Sequence, residues 1–155
     1  MKKTVGLLML VGLFISSFQP YVFAENKEFY LTQTFKCDFP IGSTFVFHDD
    51  KGEIRDKPKV ENAGGMGNEF IFDSINVQNG TGRFVGNQGS TDLTVIAGLE
   101  EMSLIEVTPG GTVQMTVIYN SMNGEGAYLA VHSRHTSTFG VPMPSQYAGS
   151  CRVHE

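Results

Sequence analysis

The sequence has no tryptophan, only two cysteines and no excess of basic residues. Its formal net charge is −5, so we expect no nucleic-acid partner. The glycine-rich segments lack the Lys-Ser/Thr ending of a phosphate-binding loop, and no serine is placed as in a tight strand-to-helix elbow. The sequence therefore predicts no reaction, and we expect no cofactor.

The beginning of the chain has the pattern of a signal peptide. Lys2 and Lys3 precede an apolar run from Val5 to Phe18, and Val22-Phe23-Ala24 follows it. A basic start, an apolar middle and small or compact residues at the −3 and −1 positions are typical of export signals. The run is shorter than the ~20 apolar residues that span a bilayer. We therefore expect residues 1–24 to be removed.

The mature chain, residues 25–155, has the size of one ordinary domain, because removal of 24 of the 155 residues leaves 131. Loss of two lysines changes the formal charge from −5 to −7. The remaining sequence has no second apolar run of spanning length, so we expect no membrane span in the mature form. The sequence predicts a single exported domain, either periplasmic or extracellular.

Apolar and polar residues alternate through most of the mature chain, with Gly, Asn and Pro at intervals of eight to twelve positions. This pattern is typical of an all-β fold, either an antiparallel β-barrel or a β-sandwich. We expect a first strand from Glu28 to Cys37, a hairpin at Asn79-Gly80 and no helix. Residues 53–60 contain Pro58, which donates no ladder hydrogen bond, so they form an edge strand or a loop.

The two cysteines carry a topological prediction, because Cys37 ends the first predicted strand and Cys151 lies in the last. In an oxidising compartment the two are expected to form a disulfide, which brings the ends of the sheet together. They meet by strand pairing in a barrel, and across or beside the core in a sandwich. A lipocalin-like meander is favoured. The alternative is two buried, reduced thiols.

One short segment, Val131-His132-Ser133-Arg134-His135, has metal-binding or catalytic residue types. On a strand, His132 shares a face with Tyr128 and Arg134, whereas His135 lies on the opposite face. The two histidines are therefore weak metal candidates, and structural or surface roles are favoured over a zinc site. A hydrolytic enzyme would require His132, Arg134 and Tyr128 to line one cleft opposite a carboxylate.

The proline-rich segment from Thr136 to Tyr147 carries the exposed-loop candidates Phe139 and Met143. Apolar side chains on a loop indicate a contact surface, because they are otherwise unfavourable in water. The alternative is a lid folded over one end of the sheet. Together with Tyr128, His132 and Arg134, these two residues are the candidate ligand-binding positions.

Several segments resemble a set found in small exported bacterial β-rich proteins with no assigned activity. They are Phe35-Lys36-Cys37-Asp38-Phe39-Pro40, Gly86-Asn87-Gln88-Gly89-Ser90, Ile105 to Gly111, Val131 to His135, and Pro144-Ser145-Gln146-Tyr147 through Cys151. The resemblance covers nearly the whole mature chain and implies export and a compact β fold. In size and cysteine number the chain is also similar to periplasmic lysozyme inhibitors and lipocalin-like carriers, without a shared motif.

We therefore expect a non-catalytic exported binding module, and two kinds of partner remain open. A carrier of a small apolar ligand requires a lined interior cavity. An inhibitor or adaptor of another exported protein requires instead a filled core and an exposed loop patch. A metal-binding protein or a hydrolytic enzyme that uses the His132–His135 region is the alternative.

Overall fold

The structure is a computed structural model that describes residues 27–86 and 89–155. The expected signal peptide, residues 1–24, lies outside the described residues. Within the described ranges, no helix combines the length and the apolar character needed to cross a membrane.

One short helix and eleven strands follow one another along the described chain. They are α1 (Lys27–Leu31), β1 (Phe35–His48), β2 (Ile54–Asn62), β3 (Met66–Asn76), β4 (Thr81–Gly86), β5 (Gly89–Ala97), β6 (Glu101–Val107), β7 (Val113–Met122), β8 (Tyr128–His135), β9 (Ser137–Thr138), β10 (Val141–Pro142) and β11 (Ser145–Val153).

The main sheet closes into an eight-stranded antiparallel barrel. From β3 to β8 each strand pairs with the next one in sequence, β11 follows β8, and β1 pairs with both β11 and β3. The expected all-β meander is confirmed, and the alternative between barrel and sandwich is decided in favour of the barrel. In a barrel of this strand number the interior is just wide enough to be filled by side chains or to hold one small ligand.

Strand β2 lies outside the ring and pairs only with the second half of β1, from Ser43↔Asn62 to His48↔Ile54. Nearly all of its residues are exposed. Pro58 and the charged residues around it are typical of edge strands that do not pair further. The prediction of an edge strand for this segment is confirmed.

The disulfide between Cys37 and Cys151 is present, and the two residues are direct partners in the β1–β11 ladder. Both side chains are buried in the barrel interior, so the bridge fastens the seam where the sheet closes on itself. The prediction of a disulfide between first and last strands is confirmed. Such bridges persist in oxidising compartments, and this one is consistent with an exported protein.

Helix α1 closes one end of the barrel, which we call the closed end. Phe29 is fully buried there, with its ring centroid 4.9 Å from that of Tyr128 and 5.9 Å from that of Phe35. Tyr30 donates a hydrogen bond of 2.7 Å to the carbonyl oxygen of Leu99, in the turn between β5 and β6. These contacts anchor the helix across the opening.

The expectation of a strand from Glu28 and of no helix was therefore wrong for the first turn of this segment. In a strand that begins at Glu28, alternation places Phe29 and Leu31 on one face, but Phe29 is fully buried and Leu31 is 75% exposed. The helical conformation directs the Phe29 ring into the barrel. Thr32 Oγ1 donates a hydrogen bond of 2.9 Å to the carbonyl oxygen of Glu28. Burial of a large aromatic ring at the barrel end outweighs the local strand pattern.

Strands β1 and β11 approach closely at a bulge between Asp38 and Ile41. Gly149 lies opposite this bulge, and a Cβ atom at position 149 would overlap the carbonyl oxygen of Asp38. Glycine is therefore required here by backbone proximity rather than by its φ angle.

Candidate functional site

The end of the barrel opposite α1, which we call the open end, is lined by polar side chains. Glu106 on β6, Gln114 on β7, Arg134 on β8 and Ser145 on β11 are successive cross-strand partners. Glu106 and Ser145 are buried, and the other two side chains are half-buried. We call these four residues the polar row.

Polarity decreases with depth below the polar row. The next cross-strand row toward the closed end mixes polar and apolar side chains, and the row after it is apolar except for its glycine. The first consists of Leu104, Thr116, His132 and Tyr147, and the second of Met102, Ile118, Ala130 and Gly149. The barrel interior is therefore polar at the open end and apolar toward α1.

His132 lies at the boundary between the two environments and is only 3% exposed. Its Nδ1 atom is 2.8 Å from Thr116 Oγ1, and its ring packs between those of Phe39 and Phe70, at centroid distances of 5.5 and 5.1 Å. Which of Thr116 Oγ1 and His132 Nδ1 donates depends on the tautomer. The imidazole is thus held in a fixed orientation by one hydrogen bond and two rings.

Burial, with the positive charge of Arg134 as a second cause, lowers the pKa of His132 to about 4. The imidazole is therefore neutral at physiological pH. Its Nε2 atom is buried and has no hydrogen-bond partner among the described residues. A neutral imidazole with one free nitrogen faces the interior at this level.

A small cavity of about 10 Å³ adjoins His132. Its lining includes Glu106, Gln114 and Thr116 as well as apolar side chains of β3 to β6. A cavity of this size holds about one water molecule. This cavity is therefore far smaller than the volume that a small-molecule ligand occupies.

A larger depression opens at the mouth of the barrel, and we call it the mouth cleft. Its volume is about 560 Å³, which lies within the range of small-molecule sites. The lining combines aromatic and neutral polar side chains with one cation and one anion: Asn68, Glu69, Phe70, Phe84, Ser90, Thr91 and Arg134. These residues come from β3, β4, β5 and β8, so only the closed sheet brings them together.

A hairpin formed by β9 and β10 projects from the chain between β8 and β11, at the open end. Thr138 pairs with Val141, and the two-residue tip consists of Phe139 and Gly140. Phe139 is fully exposed and has a positive φ of 51°. Below the tip, a shallow groove of about 340 Å³ separates the hairpin from the turn between β6 and β7, with Gly110 and Pro142 among its lining residues.

The structure separates some of the residues that the sequence grouped. Tyr128 shares the inward face with His132 and Arg134, as expected, but it is buried at the closed end beside Phe29. These three side chains therefore do not line one cleft. His135 is exposed, on the opposite face of β8 from the buried His132.

The remaining candidates lie at the open end or in the segment that borders it. Met143 is half-buried at the base of the hairpin, where its backbone N–H donates 2.8 Å to the carbonyl oxygen of Thr136. Within residues 27–86 and 89–155, no group of three or more His, Cys, Asp or Glu side chains is arranged to hold a metal ion.

Sequence reasoning missed the interior polar residues Glu106, Gln114 and Thr116. For Glu106 the signal was present in the alternation, because it follows the inward-facing Met102 and Leu104 at period two. On β7 the alternation misled, because the more apolar face faces outward and Gln114 and Thr116 share the inward face with Ile118. A polar residue on an apolar face was the available indication of a polar barrel end.

These observations define a closed, disulfide-fastened antiparallel barrel with one plugged end and one polar, loop-bearing end. Comparison of the chain with protein-family models, with curated proteins and with solved structures finds no match in any of the three. The expected family resemblance is not tested by this result and stays a prediction.

Proposed function

We propose that this protein is a non-catalytic exported binding module that engages another exported protein through the open end of its barrel. The small size of the cavity beside His132, which has room for about one water molecule, supports a protein partner over an apolar ligand enclosed deep in the barrel. The hairpin of β9 and β10 then supplies the exposed loop patch that such a partner requires.

The observation that carries the proposal is the state of Phe139. The side chain is fully exposed, so packing within the barrel does not favour phenylalanine there. The φ angle of 51° is unfavourable for a bulky residue, and Asn or Gly is preferred in such a two-residue turn. Aromatic side chains, phenylalanine included, are enriched in the buried cores of protein interfaces. A strained, solvent-exposed aromatic residue at a hairpin tip is best explained by a partner that buries it.

Export is proposed on two features. The pattern of residues 1–24 is that of a signal peptide, and the disulfide between Cys37 and Cys151 requires an oxidising compartment to persist. Intact-mass measurement of the protein isolated from its natural host tests this part. The expected product begins at Glu25 and has a mass two hydrogens below that of the reduced chain. A mature form that retains residues 1–24 and free thiols would contradict it.

Site-specific photo-cross-linking tests the binding surface. A benzophenone amino acid is placed at position 139, and the matched control carries it at position 31, where Leu31 is exposed at the closed end. With exported proteins of the natural host, we expect one discrete adduct from position 139 and none from position 31. Unlabelled protein should compete for adduct formation, whereas a Phe139→Asn variant should not.

The same variant separates the role in binding from a role in folding. Because Asn tolerates the left-handed backbone better than Phe, Phe139→Asn is expected to raise the unfolding free energy by about 1 kcal/mol. A stabilised variant that no longer competes supports the proposal. Equal adducts from both positions, or full competition by Phe139→Asn, would exclude the hairpin tip as the anchor.

A further inference from the structure

We infer that the mouth cleft binds the carboxylate of an organic monoacid, with Arg134 as its hydrogen-bond donor and the Phe70 and Phe84 rings as the apolar walls. This inference goes beyond the proposed function, because it concerns a pocket inside the barrel mouth rather than the hairpin tip. It rests on the difference in partners between Arg134 and the other arginines, on the composition of the cleft and on the charges around the cleft.

Arg134 differs from the other three arginines of the chain. Arg83 forms a two-point ion pair with Asp73, Arg152 contacts Glu125 at 2.8 Å, and Arg55 donates to a backbone carbonyl. Arg134 forms no ion pair with any described residue, and its Nε atom is buried without a hydrogen-bond partner. Arg134 lines the mouth cleft without an ion pair to a described residue, so its guanidinium can donate there to an acceptor that a ligand supplies.

The strand register holds Arg134 at the mouth. It is a cross-strand partner of Gln114 on one side and of Ser145 on the other, neither of which is charged. A guanidinium offers two parallel N–H groups whose spacing matches the two oxygens of a carboxylate. The mouth cleft in front of it has the volume of a small-ligand site, about 560 Å³.

The surrounding charges favour a singly charged ligand. Among the side chains that line the cleft, Arg134 is the cation and Glu69 the anion, and Glu69 is partly neutralised by Lys36 at 3.4 Å. A second carboxylate, Glu106, is buried in the polar row beyond Gln114. A dianion such as phosphate would face two acidic groups with one arginine, whereas a monocarboxylate is balanced by it.

The apolar walls select the body of the ligand. Phe70 and Phe84 lie with their ring centroids 5.3 Å apart and both line the cleft. Asn68, Ser90 and Thr91 add neutral polar groups to the lining. An acid with an aromatic or compact apolar body fits this combination, with the carboxylate toward Arg134 and the body against the rings.

The test is a binding titration followed by NMR on the full folded protein. The probes are sodium benzoate and benzamide, which have the same shape and differ in charge. We expect benzoate to shift the Arg134 Nε–H resonance and amide resonances of β3 and β4, and to bind about tenfold or more tightly than benzamide. Arg134→Gln should weaken benzoate binding by about tenfold or more, and Arg134→Lys by an intermediate factor.

Arg83→Gln is the matched control, because Arg83 is already paired with Asp73 on the outer surface, and it should bind benzoate as the parent does. Equal affinity for benzoate and benzamide, or undiminished benzoate binding by Arg134→Gln, would overturn the inference. If Arg134→Gln does not fold, the comparison of the two probes on the parent protein and on Arg134→Lys still decides it.

The carboxylate has two conceivable sources, a free acid or an acidic group of the protein partner. Cross-linking from position 139 in an Arg134→Gln background distinguishes them. Loss of the adduct assigns the carboxylate to the partner, and its persistence assigns it to a free acid. If benzoate binds but no cross-linked adduct forms from position 139, the inference of a carboxylate site stands and the proposed function is excluded. The two proposals can therefore fail separately.

Discussion

Thr116 and His132 face each other across strands β7 and β8, with 2.8 Å between Thr116 Oγ1 and His132 Nδ1. The pair lies between the polar row and the apolar half of the barrel. The hydrogen bond orients the imidazole, and burial beside Phe39 and Phe70, with the charge of Arg134 as a second cause, lowers its pKa and keeps it neutral. Several measurable properties of the fold depend on this arrangement.

The first prediction is a loss of stability in mild acid that depends on His132. Its pKa is about 4 in the folded protein, whereas an unfolded histidine has a pKa near 6.5, so only the unfolded state binds the proton between these values. The contribution of neutral His132 to the unfolding free energy is fully present above about pH 6.5, decreases as the pH falls and is lost by about pH 4. Over this pH range the unfolding free energy falls by about 3 kcal/mol because of His132.

Urea unfolding of the parent, His132→Gln and His135→Gln from about pH 7.5 to about pH 4 checks this. Other groups also titrate in this range, so the informative quantity is the difference in unfolding free energy between parent and variant. The unfolding free energy of the parent minus that of His132→Gln should decrease by about 3 kcal/mol as the pH is lowered from about 7.5 to about 4. His135 is exposed, and its variant should run parallel to the parent. A His132→Gln curve parallel to the parent would contradict the prediction.

A second prediction concerns the seam of the barrel. The bridge between Cys37 and Cys151 links positions 114 residues apart, and closing a loop of that length corresponds to about 4 to 5 kcal/mol in the chain-entropy model. The double variant Cys37→Ala/Cys151→Ala should lose about that much unfolding free energy while keeping its far-ultraviolet circular dichroism. Denaturant titration of both forms measures it, and a loss below about 1 kcal/mol would show that strand pairing alone secures the seam.

The third prediction concerns the plug formed by α1. Phe29 is fully buried against Phe35 and Tyr128, so Phe29→Ala should cost about 3 to 5 kcal/mol. Leu31→Ala on the same helical turn is the control, because Leu31 is largely exposed and its loss should change stability by less than about 0.5 kcal/mol. Thermal and urea unfolding measure both. Similar small effects of the two changes would mean that α1 does not seal the barrel.

A fourth prediction compares two glycines in strands. A Cβ atom at position 149 would overlap the backbone of Asp38, whereas one at position 67 would meet no atom within 4 Å. Gly149→Ala should therefore lose at least about 2 kcal/mol, because the strands must separate at the bulge. Gly67→Ala should be neutral or slightly stabilising, since alanine costs less conformational entropy in a strand. Equal effects at both positions would refute the close approach of β1 and β11.

Part of the fold could be predicted because strand alternation is local. The period of two on β8 placed His132 and Arg134 on one face and His135 on the other, and the structure shows that the first of these faces is the interior one. The positions of Cys37 and Cys151 required the ends of the sheet to meet. The same alternation misplaced α1, because the burial of Phe29 depends on the open barrel end above it and on Tyr128, which is about a hundred residues away in the sequence.

The candidate site was only partly predictable for the same reason. Phe139 was recognisable as an apolar residue in a proline-rich loop, but its full exposure and left-handed backbone belong to the folded hairpin. The mouth cleft joins Asn68, Thr91 and Arg134 from three strands. Their proximity depends on the order of the strands and their stagger around the barrel, which no local pattern encodes.

The amino-acid sequence by itself determined that this chain forms strands, which side chains of β8 share a face, and that its first and last strands meet at a disulfide. These properties follow from residue period and from the pairing of two cysteines. Only the tertiary structure decided that the sheet closes into a ring, that α1 seals one end and that Arg134, at the other end, forms no ion pair within residues 27–86 and 89–155. Those outcomes depend on contacts between residues far apart in the chain, and such contacts exist only when the barrel is closed.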